Sequence, residues 1–109
     1  MSTLSTHVLD TARGRPAEGL DLELFGRGGE GWQSLAGGRT NADGRVALAP
    51  GGLSPGRYRL VFQTGAWYAG RGERCFYPEV SVDFEVADAG HHHVPLLLSP
   101  FGYSTYRGS

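Results

Sequence analysis

Few side chains in this protein can move a proton at neutral pH, and they cluster. The four histidines are His7, His91, His92 and His93. A neutral imidazole titrates near pH 6.5, the range a general base or acid needs. His7 stands in Ser5-Thr6-His7-Val8-Leu9-Asp10, and the other three form an unbroken run. Arg45 follows the segment Asn41-Ala42-Asp43-Gly44 and offers a planar fork of donors suited to an oxygen-rich anion. The sequence closes on Tyr106-Arg107-Gly108-Ser109, placing a guanidinium, a glycine, a hydroxyl and a carboxylate within four positions. Frayed ends are usually simple and polar; this one has the chemistry of a site.

Other chemistries are excluded by what is missing. All 10 basic residues are arginine, so Schiff-base and lysine-nucleophile mechanisms are ruled out. There is no nucleophile elbow, phosphate-binding glycine loop, dinucleotide fingerprint or paired-carboxylate motif. Cys75, the single cysteine, has no internal disulfide partner and reads as a buried filler. His91 and His93 would supply two zinc ligands and His7 a third, but their spacings match none of the usual zinc motifs. On residue types alone, His7 also reads as a solvated or hydrogen-bonded strand histidine, and the triplet as surface polarity. What remains for an enzyme is histidine acid–base catalysis with arginine holding an anion, with neither metal nor cofactor expected.

The rest of the composition bounds the class. A chain of 109 residues supports one domain, 1–109. A net charge of −1 with acidic and basic residues interleaved gives no electrostatic footprint for nucleic acid. No apolar stretch approaches a membrane span and no leader precedes the first strand-like residues, so a cytoplasmic protein is expected.

The elements that must position the candidate residues are mostly strands. Dispersed Gly (18) and Pro (6) punctuate short apolar runs, the pattern of an antiparallel β domain. Strands are expected at Thr3–Thr11, around Leu20-Asp21-Leu22-Glu23-Leu24, at Trp32–Thr40, around Tyr58–Phe62, at Val80–Val86, at His92–Ser99 and at Tyr103–Ser109. The only plausible helix is a short one within Gly65–Glu73. Seven or eight strands with one helix imply a two-sheet sandwich. Alternate strand residues share a face, so His91 and His93 point one way and His92 the other. Leu96-Leu97-Leu98 suggests burial on both faces of its strand, which a lone sandwich does not need; an oligomer is expected to cover the second face.

Four segments together resemble the enzymatic branch of the transthyretin-like family, the 5-hydroxyisourate hydrolases. They are Leu4–Asp10 with Gly14-Arg15-Pro16-Ala17, Thr40–Arg45, Phe76-Tyr77-Pro78-Glu79-Val80, and His93–Ser109. The resemblance spans nearly the whole chain, and the closing tetrapeptide is its most specific element. It implies an all-β, transthyretin-like sandwich of about eight strands with one short helix. It further implies a homotetramer built as a dimer of dimers, with active sites in the channel where the dimers meet. The implied reaction opens the ring of 5-hydroxyisourate, the product of urate oxidation, to 2-oxo-4-hydroxy-4-carboxy-5-ureidoimidazoline. The alternative is a non-catalytic small-ligand binding module of the same fold. By resemblance, the hormone-carrying branch lacks both histidines and the closing tetrapeptide, which favours the hydrolase.

Position by position, the resemblance places catalytic roles on His7, Arg45, His93 and Ser109. It places substrate contacts on His7, Arg45, Tyr106, Arg107, Gly108 and Ser109. The two histidines are expected to share proton transfer, Arg45 to stabilise the oxyanion, and Ser109 to orient water or substrate. Arg107 is expected either to touch substrate or to form a structural ion pair, and Gly108 to leave room for the substrate. His92 stands where relatives commonly carry an aromatic residue and Phe101 where they often carry tyrosine; neither is a matched catalytic position.

Overall fold

The structure is a computed structural model, and it describes residues 2–109. The described residues form nine strands and one helix. The strands are β1 (Ser2–Asp10), β2 (Arg15–Pro16), β3 (Asp21–Gly28), β4 (Gly31–Arg39), β5 (Arg45–Leu53), β6 (Gly56–Phe62), β7 (Val80–Val86), β8 (His91–Ser99) and β9 (Gly102–Thr105), with α1 (Thr64–Ala69) between β6 and β7. One sheet runs β2-β1-β8-β9, with β5 also paired to β1; the other runs β4-β3-β6-β7.

The two sheets enclose one core. From the first come Leu4, Val8, Leu48, Leu96 and Leu98, and from the second Leu22, Leu24, Leu60, Phe62, Val80 and Val86. The strict alternation of Val80–Val86 appears as buried Val80, Val82 and Val86 against exposed Ser81, Asp83 and Glu85. Helix α1 buries Trp67 and Tyr68, and the Trp67 indole donates to the Glu18 carbonyl at 2.7 Å. No helix among the described residues is long and apolar enough to cross a membrane.

Two elements differ from expectation. Residues 45–53, for which the sequence pattern predicts no strand, form β5 along β1. The strand is irregular, with Ala49 at φ 55° and Gly52 at φ 87° and a register shift opposite Ser2/Leu4, which erases a clean two-residue period.

The last strand stops at Thr105 instead of running to Ser109. It resumes as a single bridge between His93 and Gly108, in the register already set by Leu96 opposite Thr105. That register puts Pro95 opposite Tyr106. Proline has no N–H to donate across the ladder, so pairing fails there. The Pro95 carbonyl is taken instead by the Thr105 hydroxyl at 2.7 Å.

Strand β8 also corrects the expectation of two apolar faces in part. Val94, Leu96 and Leu98 are buried between the sheets and Pro95 is covered on the other side, but Leu97 is only half-buried. The outer face of this sheet carries the site.

Candidate active site

Parallel pairing of β1 with β8 sets Thr3 beside His91, Ser5 beside His93 and His7 beside Pro95. Thr6 and Val8 are fully buried and His92 nearly so, so the odd-numbered residues of both strands project outward. Antiparallel pairing of β1 with β5 places Arg45 directly beside His7. One sheet face therefore collects His7, Arg45, His91, His93 and Ser5.

The turn before β5 fixes Arg45. The Asn41 carboxamide oxygen accepts from the Asp43 and Arg45 amides at 2.9 and 3.0 Å. Gly44 adopts φ 74°, a conformation few side-chain-bearing residues adopt. Its own carbonyl accepts from the Val8 amide at 2.8 Å. A Cβ on Gly44 would collide with the Val8 carbonyl, so glycine permits the turn to lie against β1 immediately beside His7.

The closing segment completes the cleft. The Gly108 amide donates to the His93 carbonyl at 2.8 Å, and Tyr106, Gly108 and Ser109 line the same cavity as His7, Arg45 and His93. Its volume is about 420 Å³, ample for a small bicyclic heterocycle. Gly108 also packs closely against His93. A Cβ there would lie 3.1 Å from His93 Cγ and closer still to Cδ2, so glycine makes room for the imidazole.

Arg107 is not brought to this cleft. It lines a neighbouring cavity with His92, Val82 and Phe84, of about 200 Å³, and its guanidinium lies 4.0 Å from Asp88. Both side chains of that contact are exposed. His92 is buried, with Nδ1 3.1 Å from the Gly90 carbonyl and Nε2 3.5 Å from Asp88. His91 and Ser5, for which sequence reasoning offered no catalytic part, do line the cleft. Among the described residues, no three His, Cys, Asp or Glu side chains are grouped to hold a metal ion.

Electrostatics distinguish His93. Burial pushes its pKa below the ordinary histidine value, and the positive charge of Arg45, then that of His7 and His91, pushes the same way; a hydrogen bond with the Ser5 backbone opposes them. The shift favours the neutral form of His93, the form that can accept a proton. An imidazole that can take a proton, a guanidinium that can hold an oxyanion and a hydroxyl that can orient water open into one cleft.

A family model described as HIUase/Transthyretin family matches residues 4–108. The chain belongs to the HIUase/transthyretin family. Within that family, the 5-hydroxyisourate hydrolase of Caulobacter vibrioides is 48% identical over 115 residues, covering 100% of each chain. The solved 5-hydroxyisourate hydrolase of Klebsiella pneumoniae has 44% identity and a TM-score of 0.92, with 100% of both chains covered. Sea bream transthyretin in complex with thyroxine has 31% identity and a TM-score of 0.90, covering 96% of this chain and 93% of that one. The HIUase/transthyretin backbone thus serves both a hydrolase and a thyroxine-binding protein, and function has to be argued from side chains.

Proposed function

We propose that this protein is a hydrolase that opens the ring of 5-hydroxyisourate to 2-oxo-4-hydroxy-4-carboxy-5-ureidoimidazoline in urate breakdown. The observation that carries the reading is the meeting of His7, Arg45, His93 and Ser109, from three strands and the closing segment, in one cleft. Relatives named for this activity support it.

In this reading His93, whose pKa is lowered first by burial and then by Arg45, takes the proton of the attacking water. His7 protonates the departing ring nitrogen. A positioned base or acid is worth about a hundred- to ten-thousandfold in rate. Arg45 holds the oxygen that gains charge as water adds, with a bidentate geometry that lysine lacks. The Ser109 hydroxyl orients water or substrate, and Tyr106 walls the cleft. Gly108 and Arg107 act on the closing segment itself, one by fitting against His93 and the other through Asp88.

The cleft lies on an outer sheet face and is open on one side, where a second copy of the chain would cover it. The functional form is a homotetramer, two dimers meeting over these faces. We place it in the cytoplasm, a compartment consistent with the lone Cys75.

The test is to generate 5-hydroxyisourate freshly from urate and follow its ultraviolet decay with and without protein, since the compound also hydrolyses spontaneously. Decay accelerated in proportion to protein supports the activity. A rate equal to the blank, with protein that binds the compound reversibly, makes it a carrier instead.

A further inference from the structure

His93 does not stand alone in the sheet. Ser5 Oγ lies 2.8 Å from His93 Nδ1 and 2.8 Å from His91 Nε2, and His91 Nδ1 lies 2.5 Å from Thr3 Oγ1. The contacts follow from register, because Thr3 and Ser5 are the direct neighbours of His91 and His93 on the parallel strand. They form one hydrogen-bonded chain, Thr3–His91–Ser5–His93, running from solvent-exposed His91 to the half-buried imidazole in the cleft.

We infer that His91, acting through Ser5, is a positioning residue that sets the tautomer of His93, and with it the readiness of His93 to act as a base. This rests on the reaction proposed above. A serine hydroxyl has one proton and must choose its acceptor. When Ser5 donates to His91 Nε2, its oxygen is left to accept from His93 Nδ1–H. His93 then carries its proton on Nδ1, and Nε2 presents a lone pair to water. His91 must in turn carry its proton on Nδ1, donated to Thr3. When Ser5 donates to His93 Nδ1 instead, the His93 proton sits on Nε2, which can then no longer accept one from water. The tautomers of the two histidines are locked together by a single proton.

Charge on His91 decides between the two arrangements. An imidazolium donates from both nitrogens, so protonated His91 donates to Ser5 and turns the serine proton towards His93. Protonation of an exposed ring therefore switches off the half-buried base without touching it. The other titratable or charged groups around the chain are His7 on β1, Arg45 on β5, and Tyr106 and Ser109 of the closing segment. Asp88 lies by His92 and Arg107.

The experiment uses the full chain with ¹⁵N-labelled histidine and the variants Ser5→Ala, His91→Ala and His91→Gln. In the parent at neutral pH, His93 is expected to carry its proton on Nδ1. In Ser5→Ala and His91→Ala that preference is lost, and kcat falls about ten- to a hundredfold, short of the loss of a general base itself, with KM within about twofold. His91→Gln restores most of kcat, because its carboxamide oxygen can accept the Ser5 proton and cannot be protonated. Its activity also extends to lower pH than the parent's. Unchanged kcat and pH profiles in Ser5→Ala and His91→Ala overturn the inference, as does a parent spectrum with the His93 proton on Nε2. If the parent fails to accelerate decay of 5-hydroxyisourate, the proposed activity fails, while the ¹⁵N spectra recorded without substrate still decide the tautomer coupling.

Discussion

The α-carbon of Gly108 faces the imidazole of His93 so closely that a single methyl group would not fit between them. The backbone bridge holds the two residues together through the Gly108 amide and the His93 carbonyl. The closing segment thereby forms one wall against the His93 ring.

Gly108→Ala is the sharpest probe of that wall. The methyl group must displace either the ring or the segment, and neither belongs to the core between the sheets, so stability should change by about 1 kcal/mol or less. Misplacing a reacting group by about 1 Å costs on the order of a hundredfold, so kcat should fall by roughly that factor. Thermal unfolding and 5-hydroxyisourate decay, measured side by side, check both halves. Full activity in a folded variant would mean that the ring does not depend on its contact with Gly108.

Direct removal of the two histidines proposed for proton transfer should give larger losses. His93→Ala and His7→Ala should each lower kcat about a hundred- to ten-thousandfold, with the thermal unfolding transition little changed, because neither side chain belongs to the core between the sheets. Unchanged turnover in either variant takes that histidine out of the reaction.

The pH dependence has a defined sign. His93 is held below its ordinary value of 6.5, first by burial and then by Arg45, His7 and His91. Just under pH 6.5 the unfolded chain binds a proton that the folded chain does not. Stability therefore rises with pH through this window and is lost as pH falls, until the folded ring protonates too. The ¹⁵N titration midpoint of His93 should lie below 6.5. Arg45→Gln removes one of the positive charges and should move that midpoint upward. A midpoint that stays put or moves down would show that Arg45 does not act on His93 electrically.

Much of this site was legible in the sequence, and the parts that were not have physical reasons. Period two along β1 and β8 separates His91 and His93 from His92, and the structure keeps that division. The same period, carried into the closing tetrapeptide, would have turned Arg107 away from Tyr106 and Gly108, towards the side where Asp88 lies. The adjacency of Arg45 and His7 needed β5, whose positive-φ Ala49 and Gly52 hide its period. The Ser5 bridge depended on β1 and β8 being parallel neighbours. A pairing between residues more than eighty positions apart leaves no local mark in one sequence.

Pro95 connects the fold to the chemistry most directly. Its missing N–H releases Tyr106 and Arg107 from the ladder between two paired stretches, Gly102–Thr105 and the Gly108 bridge. Pro95→Ala returns a donor opposite Tyr106 without changing the register. The new amide should bond the Tyr106 carbonyl, extend β9 towards Gly108 and draw Tyr106 and Arg107 into the sheet. Hydrogen exchange should then show a protected amide at position 95. Activity should fall about ten- to a hundredfold, because Tyr106 and Ser109 shift relative to His93. Loss of activity without a protected amide would point to a packing defect at the buried Pro95 site instead. A protected amide with full activity would show that the cleft tolerates a straight strand, and that the break opposite Pro95 serves some purpose other than shaping it.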